Sequence, residues 1–512
     1  MYCQLLYLRR CIPARIRHAL NELPKTLDGT YARTLEEIDE QNWKYAHRLF
    51  QCVTAVSRPL DVNELAEFLA FDFEAGSIPT FLADWRPEDP VHTVLSICSS
   101  LLVVIKQDYG PPVVQFAHFS VKEYLTSARL AQAKETISHF YVSMAPAHTV
   151  VAQVCLGVLL HLNENITEDG LEKFPLAEYA AEHWVGHAQS ENVSPNVEYG
   201  IKRLFDPSRS HLSVWTWIYD PETTLLQLQR PKRPETARAT PLHYAAFLGM
   251  HDIAAFLITE HSQDVNARGF RRQQETPLHV ASRRRHAHIA HLLLEHGADA
   301  NARDRHKRTP LLVASEIGHV EVARVLLEHG ADTKVQDGRG HSPLLWASET
   351  GHTELVRDLL KYGADAKAHS GNGFTPLHFA PGEEIVRLLL EHGADTNAPL
   401  KNSGQTPLHL WPCLRNEEVA RVLLEHGADV NARDATNATP LHKAPYYGAN
   451  GVIRLLLQYG ADIHARDDKG QTPFMKATEK GRLDTMELLL ERGAEDHRPK
   501  AVGHQEKHKF LF

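Results

Sequence analysis

No Gly-Lys dipeptide occurs anywhere in the 512 residues, so the chain carries no G-x-x-x-x-G-K-[ST] phosphate loop. Without that nest of backbone N–H groups and its lysine, nothing is expected to hold a triphosphate and its Mg²⁺. H-E-x-x-H, G-x-S-x-G and C-x-x-C are absent as well, which removes the common zinc-protease, serine-hydrolase and dithiol signatures. Cysteine is scarce: Cys3, Cys11, Cys52, Cys98, Cys155 and Cys413 are scattered, five of the six in the first third. That pattern is neither a disulfide framework nor a zinc site, and reads as reduced thiols in a reducing compartment. No run reaches the roughly 18 apolar residues that a membrane span needs; Val150 to Leu160 comes nearest and is closed by His161 and Asn163. Charge of one sign is also lacking. A net charge of -9 exerts no global pull toward nucleic acid or an anionic membrane. The expectation is a cytoplasmic protein (a nuclear one remaining open) that is not an enzyme and takes no cofactor and no metal.

What the chain has is a period. T-P-L-H or a close variant begins at Thr240, Thr276, Thr309, Ser342, Thr375, Thr406, Thr439 and Thr472, with successive spacings of 36, 33, 33, 33, 31, 33 and 33. All but the first are followed 18 to 21 residues later by G-A-D or G-A-E. The unit from Thr309 to Asp332 explains the pattern. Thr309 suits a helix N-cap and Pro310 the first helical position, where no N–H is needed. Leu311 and Ala314 face inward, Gly318 ends the short helix in a left-handed conformation, and Val322, Val325 and Leu326 form the apolar stripe of a second helix. Ala331 to His341 then forms a projecting turn or hairpin. One such pair cannot bury its own apolar face, so the units must stack. These residues resemble the ankyrin repeat. The resemblance covers about half the chain and implies an α-solenoid of about eight repeats, with starts near 238, 274, 307, 340, 373, 404, 437 and 470. It also implies that the T-P-L-H histidines bond backbone across repeats and that a concave surface binds a protein.

Residues 1 to 235 are organised differently. Helices with apolar spacing run from Leu35 to Ala70, broken at Arg58-Pro59, with Asp61 or Asn63 as a cap. Leu101 to Ile105 and Val113 to Phe116 pair as strands around Asp108 to Pro112. Helices followed by a hairpin suggest a winged-helix unit. The segments L-P-K-T-L-D-G-T-Y (23–31), A-V-S-R-P-L-D-V-N-E-L-A-E-F-L-A (55–70) and F-A-H-F-S-V-K-E-Y-L (116–125) resemble the region after the NTPase of fungal NACHT–ankyrin proteins. That region is similar to the winged-helix segment of GPI inositol-deacylase-type proteins. The resemblance implies a mainly α chain: a NACHT remnant over 1–22, a winged-helix-like domain over 23–127, a helical connector over 128–235, repeats over 236–497 and a disordered tail over 498–512. It also implies an upstream NTPase, which this sequence does not contain. Within the connector, helices are expected over Ala128 to Met144, Thr149 to Leu162 and Leu176 to His187. The aromatic run Trp215 to Tyr219 is expected as core against the first repeat, before a Pro/Arg-rich linker, Gln229 to Arg238.

The residues best placed for contact lie on repeat loops and inner helices. Arg283 and Arg284 form a basic patch with Arg285. Arg271 and Arg272 lie just upstream, and Arg303, Arg305, Lys307 and Arg308 follow on the next loop. An acidic protein partner near repeats two and three fits them by charge. Glu316, Arg339, Glu349, Lys469, Glu479 and Lys480 occupy equivalent variable positions. Tyr446 and Tyr447 supply the aromatic character of binding hot spots. Pro381, Pro412 and Pro445 stand where other repeats carry small or hydroxyl residues, predicting short or kinked first helices in repeats five to seven. His286, His288 and His291 form a cluster off the repeat template, in which His288 and His291, i and i+3 on a helix, could share a metal or simply line a helix surface. His118 and Ser120, two residues apart after a strand, are poorly spaced for a base–nucleophile contact, and Ser120 reads as a helix cap. Three readings follow: a scaffold or adaptor gripping a protein, a component of a signal-transducing NACHT-type receptor without its NTPase, and a nucleic-acid binder through the winged helix. The last is weakened because its expected recognition segment, Val62 to Ala70, carries two glutamates and no lysine or arginine.

Overall fold

The computed structural model describes residues 27–222 and 238–496, apart from 75, 77, 108, 109, 194, 195, 271, 272 and 415. The expected remnant over 1–22, the linker up to residue 237, Arg271–Arg272 and the tail from 498 therefore lie outside the described residues. Contacts divide the chain into two units: Met1–Pro241 with Ala255–Gln263, and Leu242–Ala254 with Asp264–Phe512.

In the first unit, helices Leu27–Glu36, Trp43–Ala55, Val62–Glu67 and Pro90–Ile97 precede a hairpin of Leu102–Ile105 and Val113–Phe116. The strands are antiparallel, with Leu102 opposite Phe116 and Ile105 opposite Val113. Asp61 adds an isolated bridge to Val113. Of the two candidate caps, Asp61 is the one used. Its carboxylate accepts from the N–H of Asn63 (2.7 Å) and Glu64 (2.9 Å), and Glu64 returns to the Asp61 N–H at 2.8 Å, a reciprocal capping box. This order of helices and hairpin is a winged helix. The helix just before the hairpin is Pro90–Ile97, not the expected Val62 to Ala70. A two-stranded insertion, Phe71–Asp72 with Thr80–Phe81, separates the two.

Beyond the wing, the continuous helix expected over Ala128 to Met144 is broken into Ala128–Ala131 and Glu135–Ser138. Ser127 caps the first of these. A new helix, Met144–His161, begins so that Pro146 falls in its first turn, where the missing N–H costs nothing. This helix is long and apolar enough to cross a membrane by length and composition alone. Here it is central to the unit, packed by Trp43–Ala55, Ala177–Ala188 and Asn196–Phe205. The tryptophans of His211–Ile218 are core, but Trp215 packs on helices of its own unit and not, as expected, against the first repeat. Trp215 meets Trp184 edge-on at 5.5 Å and donates its indole N–H to the Ala181 carbonyl at 2.8 Å.

The repeat region consists of eight helix pairs. The first helices are Pro241–Leu248, Pro277–Arg284, Pro310–Ile317, Pro343–Thr350, Pro376–Phe379, Pro407–Leu414, Pro440–Tyr447 and Pro473–Glu479. The second helices are His251–Thr259, Ala287–Glu295, Val320–Glu328, Thr353–Lys361, Glu383–Glu391, Glu417–Glu425, Asn450–Gln458 and Leu483–Glu491. Thr309 caps as its type demands, accepting from the Leu312 N–H. Gly318 stands at φ +86, and a Cβ there would overlap the His352 ring of the next repeat, so glycine is required twice over. Of the expected short or kinked first helices, that of repeat five is short, a single turn. Repeats six and seven keep eight residues. In repeat seven the turn beyond Pro445 is closed by bonds from Gly448 to the Pro445 carbonyl and from Ala449 to the Ala444 carbonyl, both 3.1 Å. Proline in a two-turn helix removes a bond without removing a turn. The three residues missing from repeat five remove the turn.

Candidate functional site

Repeats hold their inner face in place through a lattice of threonines and histidines. In five repeats the threonine hydroxyl meets a histidine or the histidine alone reaches across. His243, His279, His378, His409 and His442 each direct Nε2 to a carbonyl of the following repeat's hairpin: Glu275, Arg308, Gln405, Ala438 and Gln471, at 2.9 to 3.4 Å. Burial lowers the pKa of all five, to about 4 for His243, His279 and His378. Each is therefore a neutral structural bridge, as the resemblance implied. Successive hairpins are also bonded to one another. The N–H groups of Arg305, Gly338, Lys401, Ala435 and Asp468 donate to Gln273, His306, Asn372, Ser403 and Thr436 carbonyls, at 2.8 to 3.2 Å. The loop tips thus form a continuous rim beside the first helices. Together, rim and first helices make the inner face.

The floor of this face is the residue four places after each capping Thr or Ser. Tyr244, Val280 and Val313 are buried there. Lys443 and Lys476 follow at the other end, each held 2.8 Å from its own hairpin's Asp434 and Asp467. Between them Trp346, Phe379 and Leu410 are half-buried. Trp346 donates its indole N–H to Asp337 (3.2 Å) and meets the His341 ring at 4.7 Å. Phe379 stacks on Phe374 at 4.9 Å and lies 6.2 Å from His341. This aromatic group was not singled out from sequence.

The residues chosen from sequence sort by partner. Arg283 lies 2.8 Å from the Glu275 carboxylate, which is fully buried, and bonds Gln273. Arg308 bonds Asp304 at 2.9 Å and Glu316 at 3.2 Å. Arg284 lies over Phe247, 3.6 Å from its ring centroid. Arg283, Arg308 and Arg284 are thus already answered by the chain's own acids and rings. Arg305, Lys307, Arg339 and Lys469 are exposed on loop tips, and so is Lys401, which sequence reasoning did not select. Lys307, Arg339, Lys401 and Lys469 have no ion-pair partner among the described residues. Glu349 is exposed at the end of its helix. Tyr446 is exposed with the Lys480 ammonium 4.2 Å over its ring, and Tyr447 meets it edge-on at 5.0 Å. Glu479 lies 3.8 Å from Lys480. On the second helices, by contrast, charge is spent between repeats: Arg324 with Asp358 and Arg357 with Glu384, at 2.9 and 2.8 Å.

Elsewhere the candidates resolve into capping and packing. His118 and Ser120 do touch, contrary to the spacing argument. Nδ1 lies 2.6 Å from Oγ, and the Tyr31 hydroxyl sits 2.7 Å from the same Oγ. His118, not Ser120, is the cap of helix Phe119–Leu125, accepting from the Ser120 N–H. Extended backbone at His118 folds its ring back over the helix start, which the spacing argument ignored. His286 turns to the Phe247 carbonyl at 3.3 Å, while His291 lies edge-on to His329 at 5.2 Å. Among the described residues no group of three or more His, Cys, Asp or Glu could hold a metal. In the winged helix, Pro90–Ile97 carries no lysine or arginine.

Two family models match the chain. One, described as ankyrin repeats (3 copies), matches residues 219–304, 242–337, 304–370, 344–434 and 433–500. The other, described as the winged helix domain of GPI inositol-deacylase, matches residues 35–138. The chain is 33% identical over 295 residues to azaphilone pigments biosynthesis cluster protein L of Monascus ruber, covering 55% of this chain and 61% of that protein. It is 41% identical over 63 residues to alpha-latrocrustotoxin-Lt1a of Latrodectus tredecimguttatus, 12% of this chain and 4% of the toxin. To vegetative incompatibility protein HET-E-1 of Podospora anserina it is 22% identical over 237 residues, 42% of this chain and 16% of that protein. The chain thus spans 61% or less of the length of these curated relatives.

Proposed function

The chain belongs to the ankyrin-repeat family, and on that premise we propose that it is a non-catalytic scaffold or adaptor whose inner repeat face binds a protein partner in the cytoplasm. One contrast supports this reading above the rest. On the second helices Arg324, Arg357 and Arg387 reach carboxylates of the next repeat, whereas Lys307, Arg339, Lys401 and Lys469 along the rim are exposed without ion-pair partners among the described residues. A rim of solvated cations beside a rigid floor suits a protein surface of complementary charge. The reading is tested by amine-reactive cross-linking of the full chain to proteins it co-purifies with. Cross-links at Lys307, Lys401, Lys469 and Lys480 are expected. Cross-links confined to Lys361 of a second helix, or to Lys44 and Lys134 of the first unit, would remove it.

The likeness to the vegetative incompatibility protein favours a second reading, that the chain acts as one component of a larger NACHT-type receptor. Co-expression with a NACHT NTPase that leaves the two unassociated would count against it.

A further inference from the structure

We infer that the open stretch of floor in repeats four to six is a docking site for an extended acidic segment of a partner protein, bearing one large apolar side chain that seats on Trp346 and Phe379. The inference rests on the inner-face reading and names what that face takes. Three observations carry it. First, the floor is apolar and half-exposed only here. It is sealed by buried Tyr244, Val280 and Val313 on one side and by the Lys443–Asp434 and Lys476–Asp467 pairs on the other. Second, repeat five ends its first helix at Phe379 after one turn, while repeat four continues through Thr350. The second turn that repeat four has is missing after Phe379, whose ring stacks on Phe374. Third, the rim of the same repeats presents Arg339 and Lys401, both exposed and without an ion-pair partner among the described residues.

An aromatic floor that is only half-buried gains most from an apolar side chain that completes its burial. Cations that face solvent along one rim favour carboxylates on the same segment and raise its association rate. An extended chain lets alternate side chains point to floor and rim. A single-stranded nucleic acid could also stack on aromatics near cations. However, Glu349 is exposed at the end of repeat four's first helix and Asp337 is bonded to the Trp346 indole. Carboxylates placed there repel a phosphate backbone more than they repel a peptide whose acids lie toward the rim.

The test is selection of a displayed library of random 12-residue peptides on the full chain, followed by fluorescence anisotropy of the enriched peptides. Enrichment of one Leu, Phe or Trp flanked by Asp or Glu is expected. Replacing that anchor by Ala should weaken binding about tenfold, as should Phe379→Ala. Because Phe379→Ala could disturb folding, Arg339→Glu with Lys401→Glu, both on exposed tips, gives an independent arm. The double variant should weaken binding and flatten its dependence on salt. Peptides rich in Lys or Arg, or acidic peptides indifferent to both variants, would overturn the inference. If their binding fell instead with Tyr447→Ala, the inner-face reading would stand without this site. A library that enriches nothing overturns both. A labelled oligothymidine that displaces the peptides and binds more tightly would replace the peptide by nucleic acid.

Discussion

At the scale of single residues, one position breaks the pattern that ends the first helices. Repeats three, four and seven place glycine in the left-handed conformation there, but repeat two places Arg285 at φ +65. An L side chain in that conformation costs about 1 kcal/mol. Arg285→Gly should therefore raise the stability of the full chain by about 1 kcal/mol, read as a higher urea midpoint with an unchanged slope. Arg283 works the other way. Glu275 is fully buried, and burial raises its pKa while Arg283, then Arg308, oppose that rise. Arg283→Ala leaves the carboxylate in the repeat interior with only Arg308, 3.9 Å away. A loss of about 2 to 3 kcal/mol in the same urea measurement is expected. A change within a few tenths would mean that the carboxyl is already neutral. Both residues looked from sequence like a patch awaiting a partner. For other floor residues the sequence does carry a short-range sign of pairing. Asp434 and Asp467 stand nine residues before Lys443 and Lys476, as Asp337 does before Trp346.

At the scale of elements, repeat five departs from its neighbours because three residues are gone. Its Pro376–Phe379 turn has fewer internal bonds to lose, and Ala380 closes it with one bond to the Pro376 carbonyl at 3.0 Å. Native-state hydrogen exchange should show the amides of 378–382 opening well before those of Leu312 to Gly318 in repeat three. Equal protection would mean that stacking alone sets stability here. The eight pairs were legible because each starts with Thr-Pro or Ser-Pro and all but the first end with Gly-Ala, so each repetition confirms the last. The hairpin was legible from Val-Val runs about a turn, and the cap only as a choice between Asp61 and Asn63, which the Glu64 side chain decides for Asp61. The helices Pro90–Ile97 and Asn196–Phe205 were not. The first is short and rich in β-branched residues, and the second carries Gly200 in its middle, so neither announces a helix by propensity. The aromatic floor was invisible for a different reason. Tyr244, Val280 and Val313 are buried four places after the cap whereas Trp346, Phe379 and Leu410 are half-buried at the same place, a difference that the residue type does not carry.

At the scale of the whole repeat array, histidine makes stability a function of pH. His243, His279, His378, His409 and His442 are neutral bridges whose pKa values burial lowers below the unfolded value near 6.5. A group with a lowered folded pKa contributes its full stability above its unfolded pKa. That contribution is lost as pH falls below about 6.5, down to about 4 for His243, His279 and His378, because the unfolded chain takes up protons that the fold refuses. Each such histidine can cost up to about 1.4 kcal/mol per pH unit in that window. Five of them act on one cooperative array, so the urea midpoint should fall steeply between pH 6.5 and 5, before ordinary carboxylates titrate. The loss is not uniform along the array. Repeats three and four carry Leu312 and Leu345 at the histidine position, so the junctions they make toward repeats four and five lack this proton dependence. Neighbour-coupled repeats unfold where their interfaces weaken first. Hydrogen exchange at pH 5.5 should therefore find repeats one to two and six to seven deprotected ahead of repeats three and four. A midpoint flat down to pH 4.5, or a loss of protection that begins in repeats three and four, would show that something other than these bridges governs the acid response. Replacing His279 by Leu, the residue repeats three and four use, should flatten the pH dependence at its own junction while leaving the others as steep as before.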